Sequence, residues 1–233
     1  VFKALLIIPV VTFLTTYSIS VLNENQSYPY YFLSSSIDTK PSSSIGTFGL
    51  AMTSALLPII STIRYQYVKH QITHENTFDK NISYKINKKG LHCSIISSIG
   101  ILGVASFQDG IDKCGGTFNT RIVHLLFSFT FFSSGLLYGY YTYKLDTLLS
   151  GLGTSFTRLV RKWLWYSSIV QMILQSLNIG LIITVPNDTF IFAMSILEIL
   201  LLITISAFYS TFYDEMKQLK LKIILDNGSF YSL

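Results

Sequence analysis

The chain has 233 residues, of which 50% are hydrophobic and 12% charged, with 17 basic against 12 acidic side chains and a positive mean hydropathy. Soluble domains carry about 25% charged residues, so this composition excludes an ordinary water-soluble globule. The basic surplus does not point to nucleic acid, because the charges sit in connections and ends that flank apolar runs.

Six such runs follow one another, at 3–21, 45–67, 90–107, 121–143, 163–185 and 190–212. A hydrocarbon core roughly 30 Å thick needs about 20 helical residues, and within it backbone groups are satisfied only in helices or closed barrels. The expected fold is therefore all-α: one domain over residues 1–233, a polytopic bundle of six transmembrane helices. The first run contains Pro9, a bend that neighbouring helices must accommodate. A signal peptide is the rival reading there, but the run is longer than a signal core and no small-x-small cleavage site follows. Pro58 marks a kink in the second run, and residues 69–89, with five lysines, form a hydrophilic connection. The third run is rich in Gly90, Ser94, Ser97, Ser98, Gly100 and Gly103, small residues that let helices approach closely. Tyr138, Tyr140, Tyr141 and Tyr143 end the fourth run, and Trp163, Trp165 and Tyr166 open the fifth, as aromatic belts do at a membrane interface. Only residues 186–189 separate the last two runs, which forces a helical hairpin, with Pro186 stopping one helix and Asp188 or Thr189 capping the next.

Orientation follows from the basic residues. Fourteen of the 17 lie on one side and three, Lys40, Lys113 and Arg121, on the other. By the positive-inside rule both termini are cytosolic, and the connections at 22–44, 108–120 and 186–189 are lumenal or extracellular. The sequons at Asn25 and Asn187 then face the glycosylating side, whereas those at Asn81 and Asn227 do not. Cys93 and Cys114 fall near opposite faces and are expected to be free.

Polar side chains inside a bilayer are the default candidates for function. Glu198 lies about 8 residues into the sixth run, roughly 12 Å deep. Gln171, Gln175 and Asn178 share one helical face at i, i+4, i+7. The hairpin aligns residues whose numbers sum to about 375, so Glu198 falls level with Asn178 and Gln175. These four groups either hold two helices together by hydrogen bonds, or form a ligand site for a lipid headgroup, or carry ions. On the lumenal side Gln108, Asp109, Asp112, Arg121 and His124 cluster around one connection. One histidine on that face is too few for a catalytic zinc, which needs three protein ligands, so no metal and no cofactor is expected. Lys85, Lys88 and Lys89, with Arg158, Arg161 and Lys162, form cytosolic basic groups that could meet anionic headgroups; ordinary positive-inside bias is the preferred account of them. No G-x-S-x-G, P-loop, H-E-x-x-H or CxxC motif occurs.

Three stretches resemble a known family, the six-span proteins that include the damage-regulated autophagy modulator DRAM and its Frag and Sfk relatives. The first is YPYYFLSSSIDTKP followed by SSSIGTFGLAM; the second is TIRYQYVKH at the end of run two. The third is KINKKGLHCSIISSIGILGVASFQ, then His124 and GLLYGYYTYKL. A cysteine common in DRAM-like members is replaced here by the Ser42–Ser44 region. The resemblance implies roles in autophagy and lysosomal function, GPI-anchor remodelling, or organisation of plasma-membrane lipids, without one shared catalytic motif. The resulting expectation is a non-enzymatic lipid organiser or integral adaptor in an endolysosomal or plasma membrane, or in the Golgi or ER. Its partners are membrane lipids, anionic ones of the cytosolic leaflet included, and other membrane proteins. Alternatives are a participant in GPI-anchor or phospholipid remodelling, and a channel or transporter.

Overall fold

The computed structural model describes residues 2–23, 34–37, 40–74, 79–107, 118–149, 151–184, 188–216, 222–224 and 230–232. Six long helices carry the fold: α1 (Phe2–Leu22), α2 (Ser42–His74), α3 (Lys80–Ser106), α4 (Phe118–Leu148), α5 (Ser155–Thr184) and α6 (Asp188–Ser210). One 3-10 turn, Ser34–Ile37, precedes α2. The short α7 (Phe212–Met216) follows α6, and β1 (Lys222–Ile224) pairs antiparallel with β2 (Phe230–Ser232). Helices neighbour one another in chain order, and α6 packs back on α1 to close the circuit. The α3–α4 seam is the most extensive and the α4–α5 seam the thinnest.

Beside a buried apolar core that includes Leu50, Leu57 and Ile60, the bundle buries small polar residues and exposes large apolar ones. Its interior holds Thr12, Thr16, Ser20, Thr53, Ser54, Ser94 and Ser97, all buried, while Leu14, Phe48, Ile99, Leu126, Phe129 and Ile203 face outward. Such an exterior would associate in water, whereas lipid tails solvate it and leave helix association to close packing and interhelical hydrogen bonds. Helices α1, α2, α3, α4 and α6 are long and apolar enough to cross a membrane. The chain is thus a polytopic helical membrane protein. Helix α5 is more polar, yet it lies between α4 and α6 and exposes Phe156, Trp163, Val170, Ile173 and Leu177. From Trp163 to Leu177 that stripe rises ~21 Å at 1.5 Å per residue, most of the thickness of a hydrocarbon core.

Every small residue singled out on α3 is buried. Pro58 supplies a specific reason for one of them, Ser98. Lacking an N–H, it leaves the carbonyl four residues back, that of Ser54, without its helical partner. Ser98 Oγ of α3 donates to that carbonyl at 2.8 Å, and Ser54 Oγ donates to Ser98 O at 2.9 Å. A reciprocal serine pair therefore repairs the break and joins α2 to α3, as polar partners must at membrane depth. Ser97 Oγ similarly donates to Phe131 O of α4.

Two expectations are corrected by packing. The lysine-rich stretch 69–89 is largely helical rather than an open connection: α2 runs on to His74, and α3 starts at Lys80 with Asp79 accepting from Ile82 N at 3.0 Å. Val68, Ile72 and Ile86 join Leu145, Leu149 and Leu152 in a second apolar core beyond the apolar runs, and this prolongs the helices. Tyr138 is not interfacial either; it is buried, stacked on Tyr209 and edge-on to Phe208 and Phe212. Tyr140, Tyr143 and Tyr166 gather around Trp165.

Candidate functional site

Four charged side chains converge near the end of the bundle where α4 and α6 finish and α5 begins, beside the last third of α2. Arg64 comes from α2, Asp146 from α4, Arg161 from α5 and Glu215 from α7. None is more than 5% exposed. The local sequence explains how they meet. Gly153 turns the chain between α4 and α5 at φ +69°, a left-handed conformation that favours glycine. Thr154 then caps α5, its Oγ1 accepting from Thr157 N at 3.1 Å, and Arg161 points inward two turns later. Residues 151–155, GLGTS, thus form a helix-starting turn.

Arg161 uses its whole guanidinium. Nη1 donates to both Asp146 oxygens, at 3.2 and 3.3 Å, and to Glu215 Oε1; Nε donates to Thr211 Oγ1 at 2.8 Å and Nη2 to Thr211 O at 3.0 Å. Arg64 is held more loosely, 3.6 Å from Asp146 and 3.5 Å from Glu215, with Nη1 donating to Thr142 Oγ1 at 3.4 Å. Both guanidinium carbons lie over the fully buried Phe212 ring, 4.5 and 4.8 Å from its centroid. Two positive and two negative charges leave the cluster neutral. Buried charges persist only when paired and hydrogen-bonded, and this pairing fixes α7 across α2 and the ends of α4 and α5. At the same end Lys3 of α1 lies over the Tyr213 ring of α7, 5.4 Å from its centroid.

Its position beside Arg158 and Lys162 groups Arg161 with the lipid-facing cations, whereas the structure places it wholly inside. Its charge is matched by Asp146 and Glu215 and cannot reach a headgroup. Lys85, Lys88 and Lys89 are exposed, and Arg158 and Lys162 half-buried.

Among the intramembrane candidates, the hairpin register brings together Gln171 and Thr204, an aligned pair: Gln171 Nε2 donates to Thr204 Oγ1 at 3.1 Å and to Ser167 Oγ at 2.8 Å. Gln175, Asn178 and Glu198 are half-buried, and Gln175 Oε1 has no hydrogen-bond partner among the described residues. Of the lumenal group, Gln108, Asp109 and Asp112 lie outside the described residues, as do Cys114, Asn25, Asn187 and Asn227, and Arg121 is placed only by its backbone on α4. His124 is buried and its Nδ1 donates to Phe107 O, 2.6 Å away, tying α4 to the end of α3. Among the described residues no group of three or more metal-ligating side chains comes together.

Reading each cation as a flanking charge near the end of an apolar run hides the charge cluster. One signal would have found it: continued by heptads toward the start of α5, the stripe through Gln175 passes through Ser168 and Arg161, both buried.

Residues 1–219 match a family model described as the Frag1/DRAM/Sfk1/Cwh43P N-terminal domain. No protein of curated function and no solved structure matches the chain.

Proposed function

Because the chain belongs to the Frag1/DRAM/Sfk1/Cwh43P family, we propose that it is a non-enzymatic membrane protein that organises lipids or serves as an integral adaptor. In this reading α5 makes a sixth crossing, both termini are cytosolic, and the membrane is endolysosomal or plasma membrane, in line with the roles the family resemblance implies. The observation that carries it is the disposition of Lys85, Lys88 and Lys89. They stand at i, i+3 and i+4 on one exposed face of α3, immediately before the buried Gly90 where the apolar run starts. Lysines at that level meet the headgroups of the cytosolic leaflet, where each contributes about 1 kcal/mol of attraction to anionic lipid. Such enrichment needs no bond to be made or broken.

The test is selectivity of spin-labelled lipids for the protein reconstituted in phosphatidylcholine vesicles. Labelled phosphatidylserine is expected to be immobilised in preference to phosphatidylcholine, with the preference declining as salt screens it. The Lys85→Gln, Lys88→Gln, Lys89→Gln triple variant is expected to lose most of that preference. Equal selectivity in the triple variant and the native chain would refute the proposal.

A further inference from the structure

The thin seam between α4 and α5 is open over part of its length. Trp165 of α5 bridges it at one level, with Nε1 donating to Leu136 O at 3.1 Å and the indole seated on Gly139. Beyond that bridge, small residues Ser97 and Gly135 leave a cleft of about 480 Å³, its open side included, walled by Phe132 and Met172. Most of that volume is its open side, so it is a shallow groove rather than an enclosed cavity, and the lining is mainly apolar. It lies among the apolar runs of α3 to α6, so its open side faces hydrocarbon.

Among the described residues, charge stands at the bridged end. Lys144 of α4 is exposed, its ammonium 6.0 Å from the centroid of the Tyr140 ring, which itself packs on Trp165. Lys162 of α5 precedes Trp165 by three residues and Tyr166 by four, on the same helical face. Two cations therefore flank an aromatic collar above an apolar slot. That sequence of cation, interfacial aromatic and greasy channel complements an anionic phospholipid from headgroup to chain.

From this we infer that the α4–α5 cleft is a binding site for one anionic phospholipid, with its phosphate between Lys144 and Lys162 and an acyl chain below Trp165. The inference rests on the reading of the chain as a lipid-engaging protein and adds a discrete site to the exposed α3 lysines. Gly135 offers a clean way to close the slot, since a Cβ there meets only Ser97 Oγ, at 3.6 Å.

Photo-crosslinking with a phosphatidylserine carrying a diazirine in its acyl chain tests it in vesicles holding the full chain. Label is expected on Phe132 and Met172. Gly135→Leu is expected to abolish it, and the surface variant Lys144→Gln, Lys162→Gln, which leaves the interior untouched, to lower it roughly tenfold. Absence of label in the cleft, or label of equal yield from the matching phosphatidylcholine probe, would overturn the site. If label is absent while the phosphatidylserine preference conferred by Lys85, Lys88 and Lys89 persists, the site fails alone; if that preference is also missing, the lipid-organising reading fails with it.

Discussion

Replacing Asp146 with Asn is expected to destabilise the bundle by about 3–5 kcal/mol, the cost of removing one partner from a buried ion pair. The size of the effect follows from what remains. Arg161 and Arg64 would share the single carboxylate of Glu215, at a place where the side chains of all three are no more than 3% exposed. Water cannot compensate the surplus positive charge, and the Phe212 ring over which both guanidinium groups lie contributes only a fraction of what is lost. Unfolding in mixtures of SDS and a mild detergent, followed by tryptophan emission, measures the change, because Trp165 is packed against Tyr143 and Leu136. Combining Asp146→Asn with Arg64→Met restores neutrality and is expected to recover more than half of the loss. If the double variant is as unstable as the sum of its parts, charge balance is not what holds this end of the molecule together.

Gly100→Val gives the second large effect, by a different mechanism. A Cβ at Gly100 would stand 2.6 Å from the backbone nitrogen of Phe131 and 2.7 Å from its Cα. Backbone cannot swing aside as a side chain can, so α3 and α4 must separate along the most extensive seam of the bundle, and the Ser97 to Phe131 hydrogen bond goes with it. Overpacking of this kind costs about 1–3 kcal/mol, and the backbone contact puts the variant at the upper end. Gly135→Ala, on the facing helix, meets only ordinary contact distance and is expected to leave the same unfolding curve unmoved.

Much of the architecture was legible because lipid simplifies the physical problem. Apolar runs of bilayer length became helices, the hairpin of α5 and α6 adopted the register that pairs Gln171 with Thr204, and the small residues of α3 became its packing face. The family motifs also pointed where the family match leads. The charge cluster was hidden for a physical reason. Its members are far apart along the chain, Arg161 lying 15 residues from Asp146 and 54 from Glu215, and each sits near the end of an apolar run, where a lone charge reads as an interfacial residue. Only the inward phase of Arg161 distinguishes it from its neighbours Arg158 and Lys162. Tyr138 was misassigned for the same reason: among tyrosines at a helix end, direction around the axis decides between interface and core, and the fourth run is too uniformly apolar to reveal that direction.

Helix orientation across the bilayer underlies the lipid assignments, and one labelling experiment reaches it directly. In a chain with Cys93 and Cys114 replaced by Ser, a cysteine introduced by Lys88→Cys on the exposed face of α3 reports the side occupied by the basic helix ends. With the protein at the plasma membrane, a membrane-impermeant maleimide is expected to leave this cysteine unmodified on intact cells and to label it once the cells are permeabilised. Labelling on intact cells would contradict the account.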